Sequence, residues 1–112
     1  MRIVGTKNKT EAWLQQAVAD IGPIVVSFAI TRNFFTYKSG VYFESNCGRT
    51  NPDYLGSHAA VVVGFGTDVN NGEYWIVRNS WSESYGDNGY VNFARNRDNL
   101  CGIANLAMYP VV

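Results

Sequence analysis

The chain is poor in several residue types, and each scarcity excludes something. One histidine and two cysteines, with no close cysteine pair, are too few ligands for a structural zinc site. Nine basic residues balance nine acidic ones, so no basic surplus argues for nucleic acid and no charge run for a membrane surface. The longest apolar stretch, "AAVVVGF" at 59–65, is far short of a membrane span. The opening "MRIVGTKNKT" lacks the apolar core of a signal peptide, so the chain as read carries no targeting address. No internal repeat, linker or low-complexity tract appears. No metal, cofactor, nucleic-acid or membrane partner is therefore expected.

What is present argues for a folded chain. Of its 112 residues 46% are apolar and 14% aromatic, including seven Tyr, six Phe and three Trp. The length predicts a single domain over 1–112. Asn8-Lys9-Thr10 fits the N-x-[ST] acceptor pattern, a tripeptide that is common by chance.

From Thr10 the sequence reads as a helix. Thr10 is a capping residue, Glu11 sits in the first turn, and Trp13, Leu14, Ala17, Val18 and Ile21 share one face. Gly22-Pro23 ends it. "IVVSFAI" at 24–30 is a buried type of strand, "GVYF" at 40–43 a short one, and 44–57 a loop rich in Asn, Gly and Pro. Strands follow at 58–66, 73–81 and 89–95, with a last one over 103–112. Asn71-Gly72 marks a hairpin turn, and 83–90 forms a second glycine-rich turn. The expected class is α+β, an antiparallel, barrel-like or curled sheet with one flanking N-terminal helix.

Two features carry chemistry. His58 stands immediately before the most apolar strand, and Asn79 interrupts the β-branched run of "YWIVRNSW". The turn between them is centred near residue 70, so both lie at the same end of the hairpin. An amide oxygen accepting the imidazole N–H fixes the ring's tautomer and leaves the other nitrogen for proton transfer. The two cysteines, far apart in sequence, leave three options open: a disulfide, a buried thiol or a nucleophile.

Three blocks, "SHAAVVVGFG", "EYWIVRNSWSESYGDNGY" and "CGIANLAMYP", together with the earlier "GPIVVSFAI", "FFTYKSGVYF" and "NCG", resemble the C-terminal half of papain-like cysteine peptidases. The resemblance covers nearly the whole chain and implies the right-hand, β-barrel domain of that fold. It implies that His58 is the catalytic base, that Asn79 orients it, and that Trp81 shields the pair. It implies a disulfide between Cys47 and Cys101, hence a lysosomal or secreted location. Ser27, Ala59 and Leu106 fall where the family lines the pocket for the substrate's second residue before the scissile bond.

The family's nucleophilic cysteine, in a Cys-Gly-Ser-Cys-Trp type of motif, and its oxyanion-hole glutamine are absent; Gln15 and Gln16 lie inside the first helix. The chain is therefore expected to be inactive alone and to act on peptide or protein substrates together with an N-terminal domain that carries the thiol. Its uncovered face is expected to favour self-association. The alternative is a non-catalytic homologue kept for interaction. Ser57, Ser82, Tyr85 and Asp87 depart from the family's usual Asn or Asp, Gly, Trp and Glu. None of these changes removes His58, Asn79 or Trp81.

Overall fold

In the computed structural model, which describes residues 2–81 and 83–111, the alternating apolar runs pair into one open seven-stranded sheet. The elements in chain order are β1 (Arg2–Lys7), α1 (Glu11–Asp20), β2 (Ile24–Thr31), β3 (Val41–Tyr42), β4 (Tyr54–Asp68), β5 (Gly72–Arg78), β6 (Tyr90–Ala94) and β7 (Leu106–Val111). They lie in the order β1-β7-β2-β4-β5-β6-β3. Every neighbouring pair is antiparallel except β3 and β6, which run parallel. The sheet curls but does not close, leaving β1 and β3 as its edges.

Several boundaries differ from the sequence pattern. β1 was not expected, because Gly5 and a run of polar residues weaken its alternation; pairing with β7 supplies what propensity lacks. β4 begins at Tyr54, inside the segment expected to be a loop, since Thr31 pairs with Tyr54 across a bulge in the β2 ladder. β5 ends at Arg78 rather than Trp81, and β7 starts only at Leu106. The phenylalanine pair at 34–35 lies in a 3-10 turn, Arg32–Thr36, and Cys101 in another, Leu100–Gly102.

The helix forms for the expected reasons. The Thr10 hydroxyl accepts from the Trp13 N–H at 3.1 Å. At the other end Ile21 donates to Ala17 O, and Gly22 takes φ 118°, a conformation that a side chain would strain. Leu14, Ala17 and Val18 are buried under the sheet, whereas Ile21 caps the helix beyond its last turn and is largely exposed. Trp75, Phe28, Phe34, Phe93, Leu14 and Ile24 are among the fully buried residues of one hydrophobic core.

Two buried charges tie the layers together. The Glu11 carboxylate accepts from Trp75 Nε1 at 3.0 Å, Asn96 N at 2.7 Å and Asn99 N at 2.8 Å. The Arg95 guanidinium donates to Gln15 Oε1 and Gly66 O and pairs with Glu73 at 3.3 Å. Cys47 and Cys101 form a disulfide that joins the loop before β4 to the 3-10 turn before β7.

Candidate active site

The hairpin of β4 and β5 determines where the polar residues point. Along β4 the residues His58, Ala60 and Val62 face inward, and along β5 Trp75 and Val77 do the same. Asn79 continues that inward row one step past the strand, which is why it is only 3% exposed. The turn that sets the register is closed at Asp68, whose carboxylate accepts from the N–H groups of Asn70 and Asn71. Those bonds hold the Asp68 carboxyl below its ordinary range.

His58 Nε2 and Asn79 Oδ1 lie 2.8 Å apart. The amide oxygen only accepts, so the imidazole donates from Nε2. The other end of the amide, Asn79 Nδ2, is buried without an acceptor among the described residues. An unmade bond of that kind is costly, so the His58 contact at its other end is the one side-chain hydrogen bond that the Asn79 amide makes among the described residues.

Aromatic rings enclose the histidine. Trp81 lies with its ring centroid 4.9 Å from that of His58, Phe34 at 5.9 Å, and Phe28, the direct register partner of His58 on β2, at 6.0 Å. Trp81 is itself held by Tyr85, edge-on at 4.9 Å, and by Phe35, stacked at 4.7 Å with an interplanar angle of 11°. The Tyr85 hydroxyl donates to Phe34 O at 2.7 Å, joining the 83–90 turn to the 3-10 turn that carries the two phenylalanines. Burial, with Tyr42 and Tyr37 close by, pushes the Tyr85 hydroxyl well above the ordinary tyrosine range. Gly86 completes the turn at φ 55°, where a Cβ would stand 2.7 Å from Tyr90 O. Ser82, one of the departures from the family pattern, lies outside the described residues.

The aromatic surround was the part that sequence reasoning missed. Phe34 and Phe35 stood in a quoted block with no role attached, and Phe28 looked like ordinary strand core. An aromatic doublet between two strands, opposite a lone histidine, was the available signal.

The opposite face of the same strands holds the other candidates. Ala59, Ser27 and Leu106 are direct register neighbours across β4, β2 and β7. With Val25, Met108 and the end of β1 they line an apolar cavity of about 360 Å³. Leu106 is 47% exposed, so it is a wall of that cavity and not a core residue. Next to it a second, wholly apolar hollow of about 300 Å³ is lined by Ile3, Val25, Met108, Tyr109 and Pro110. Both cysteines of the chain are bonded, which leaves it no free thiol.

This geometry can be set beside known proteins. The model of the family described as "Papain family cysteine protease" matches residues 2–111. Digestive cysteine proteinase 2 of Homarus americanus is 49% identical over 104 residues, covering 92% of this chain and 31% of that protein. Cathepsin L2 of Homo sapiens is 45% identical over 106 residues, with 91% and 30% covered. The solved structure of digestive procathepsin L2 proteinase from Tenebrio molitor larval midgut superposes with a TM-score of 0.86 at 38% identity, covering 98% of this chain and 33% of that one. The chain thus spans about a third of the length of these relatives. Nearly every residue of it is matched, and it belongs to the papain family of cysteine proteases.

Proposed function

We propose that this chain is the right-hand domain of a papain-type cysteine endopeptidase and supplies its general base and the group that orients it. The observation that carries the reading is the His58–Asn79 hydrogen bond of 2.8 Å, packed against Trp81. With Nε2 donating to the amide, Nδ1 is left for proton exchange, and it makes no hydrogen bond among the described residues. A thiol brought beside it gives up its proton, and the imidazolium that results stabilises the thiolate. After attack on the peptide carbonyl, His58 returns the proton to the leaving amine and then activates the water that frees the acyl group. Trp81 and Phe34 keep water from competing for the bond that fixes the ring.

The thiol has to come from elsewhere. Both cysteines are engaged in the disulfide, so the nucleophile and the oxyanion donors belong to the part of the parent protein that this chain does not span. Alone, the chain has a base with nothing to deprotonate and is inactive. Its outer face supports this division. Ile3, Met108 and Leu106 are each about half exposed and, with Val25, make a continuous apolar surface suited to burial against another domain. The cavity bounded by Ser27, Ala59 and Leu106 receives a bulky apolar side chain next to the cleaved residue of a peptide substrate. The disulfide supports an oxidising compartment, secreted or lysosomal, for the protein.

The test is hydrolysis of a dipeptidyl fluorogenic substrate bearing a bulky apolar residue before the cleaved one. The chain is measured alone and joined to the part of the Tenebrio molitor procathepsin L2 that it does not cover. The expected result is no turnover alone, and turnover in the joined protein that is abolished by thiol alkylation and by His58→Ala. Alkylation-sensitive turnover by the pure chain would show that Cys47 or Cys101 is a nucleophile and overturn the proposal. An inert joined protein that folds and titrates one reactive thiol would favour a non-catalytic homologue.

A further inference from the structure

We propose that Asn8 is a site of N-linked glycosylation. Of the chain's asparagines, only Asn8 has a serine or threonine two residues on, and Lys9 between them is not proline. The reading goes beyond the proteolytic one and shares with it only the oxidising compartment, in which the Cys47–Cys101 bond forms and glycosyl transfer takes place.

The structure adds what the tripeptide alone lacks. Residues 8–10 form an exposed connection between β1 and α1, so a glycan rooted there meets solvent on its way out. The Asn8 backbone takes φ 53°, and its N–H donates to Asn105 O at 2.7 Å, which pins the connection against the start of β7. Its side-chain amide makes no hydrogen bond among the described residues, so modification takes nothing from the fold. Asn99 is a useful contrast: its amide donates to Asn105 Oδ1 and accepts from Ala104 N. Thr10, the third residue of the acceptor, is committed in the folded chain to capping α1. Transfer therefore precedes closure of that cap and acts on the chain before it folds, while the finished fold accommodates the product.

In the transfer step the Asn8 amide nitrogen attacks C1 of an oligosaccharide carried on a lipid pyrophosphate. A C–N bond forms and the C1–O bond to the pyrophosphate breaks. The lipid pyrophosphate leaves with the electron pair, and Nδ2 loses one proton.

The experiment expresses the chain behind a secretion signal in insect cells and reads whole-cell lysate as well as medium, so that export is not required. The expected result is one mobility step reversed by peptide-N-glycosidase, with aspartate left at position 8 and found by mass spectrometry of the tryptic peptide. Asn8→Gln and Thr10→Val remove the step, while Thr10→Ser keeps both the acceptor pattern and a capping hydroxyl and retains it. A single glycosidase-insensitive band with an unmodified Asn8 peptide in both fractions would overturn the proposal. So would a step that survives Asn8→Gln.

Discussion

Replacing Glu11 by glutamine tests whether one buried carboxylate holds the helix to the sheet. One oxygen accepts from Trp75 Nε1 and Asn96 N, the other from Asn99 N. A glutamine keeps the first pair through its carbonyl oxygen but turns its NH2 toward the Asn99 N–H, so donor meets donor. One charge-assisted bond is lost with its donor stranded, and the negative charge at the helix N-terminus goes too. Together these cost about 2–4 kcal/mol. Against a total stability of roughly 5–15 kcal/mol that is a large share. It corresponds to a fall in Tm of at least about 10 °C for a domain of this size. Gln16→Ala is the control, because Gln16 makes only an exposed bond to Asp20 on the same helix, worth under about 0.5 kcal/mol. Both variants are measured by equilibrium denaturation followed by tryptophan fluorescence and far-ultraviolet circular dichroism. If Glu11→Gln and Gln16→Ala are indistinguishable, the carboxylate does not join the layers as argued.

Four further outcomes are expected. In the joined peptidase, Asn79→Ala lowers kcat/KM by roughly 100-fold or more through kcat, since a mis-set tautomer cannot serve as base; an undiminished kcat removes the orienting role. Reducing the Cys47–Cys101 bridge, which spans 54 residues of sequence, lowers stability by about 4 kcal/mol in denaturant titrations, and a shift near zero contradicts the loop-closure account. Because the folded Tyr85 hydroxyl titrates above its unfolded value, its contribution is complete below about pH 10 and is lost as pH rises beyond it, by up to about 1.4 kcal/mol per pH unit. Tyr85→Phe flattens that alkaline slope, and an equally steep slope in the variant assigns it to other groups. The isolated chain self-associates through its apolar face, and Met108→Lys, a substitution at a half-exposed position, shifts it toward monomer in sedimentation velocity; a wild-type monomer at high concentration would refute this.

The sequence exposed the parts of the fold whose signals are local. The Thr10 cap, the Gly22 stop and the Asn-Gly hairpin each act within a few residues, and each appears where the chemistry of one turn puts it. The hairpin alone was enough to bring His58 and Asn79 to one end. What stayed hidden depends on pairing between distant segments. β1 becomes a strand only because β7 lies beside it, and β4 extends back to Tyr54 only because β2 is long enough to pair with it. Glu11 read only as a residue of the helix's first turn. Its three partners lie beyond residue 74, and nothing near it in sequence reveals a buried carboxylate. Phe34 and Phe35 were equally opaque, since only the folded chain brings them against Trp81 and His58.

The register of β2 against β4 is where structure and proposed function meet. His58 pairs with Phe28 and Ala59 with Ser27, so adjacent residues serve opposite faces of the sheet. The inward one joins the aromatic surround and the amide of Asn79. The outward one forms the wall of the apolar cavity together with Ser27 and Leu106. A slip of one residue would exchange the two faces, sending the imidazole into the cavity and an alanine toward Asn79. Burial of Val26, Phe28, Ala60 and Val62, all 4% exposed or less, prevents that slip, because each would have to leave the core at once. The same apolar contacts that stabilise the sheet therefore fix the distance from His58 to the cavity. Because both features sit on paired strands and not on loops, the sheet itself sets their geometry.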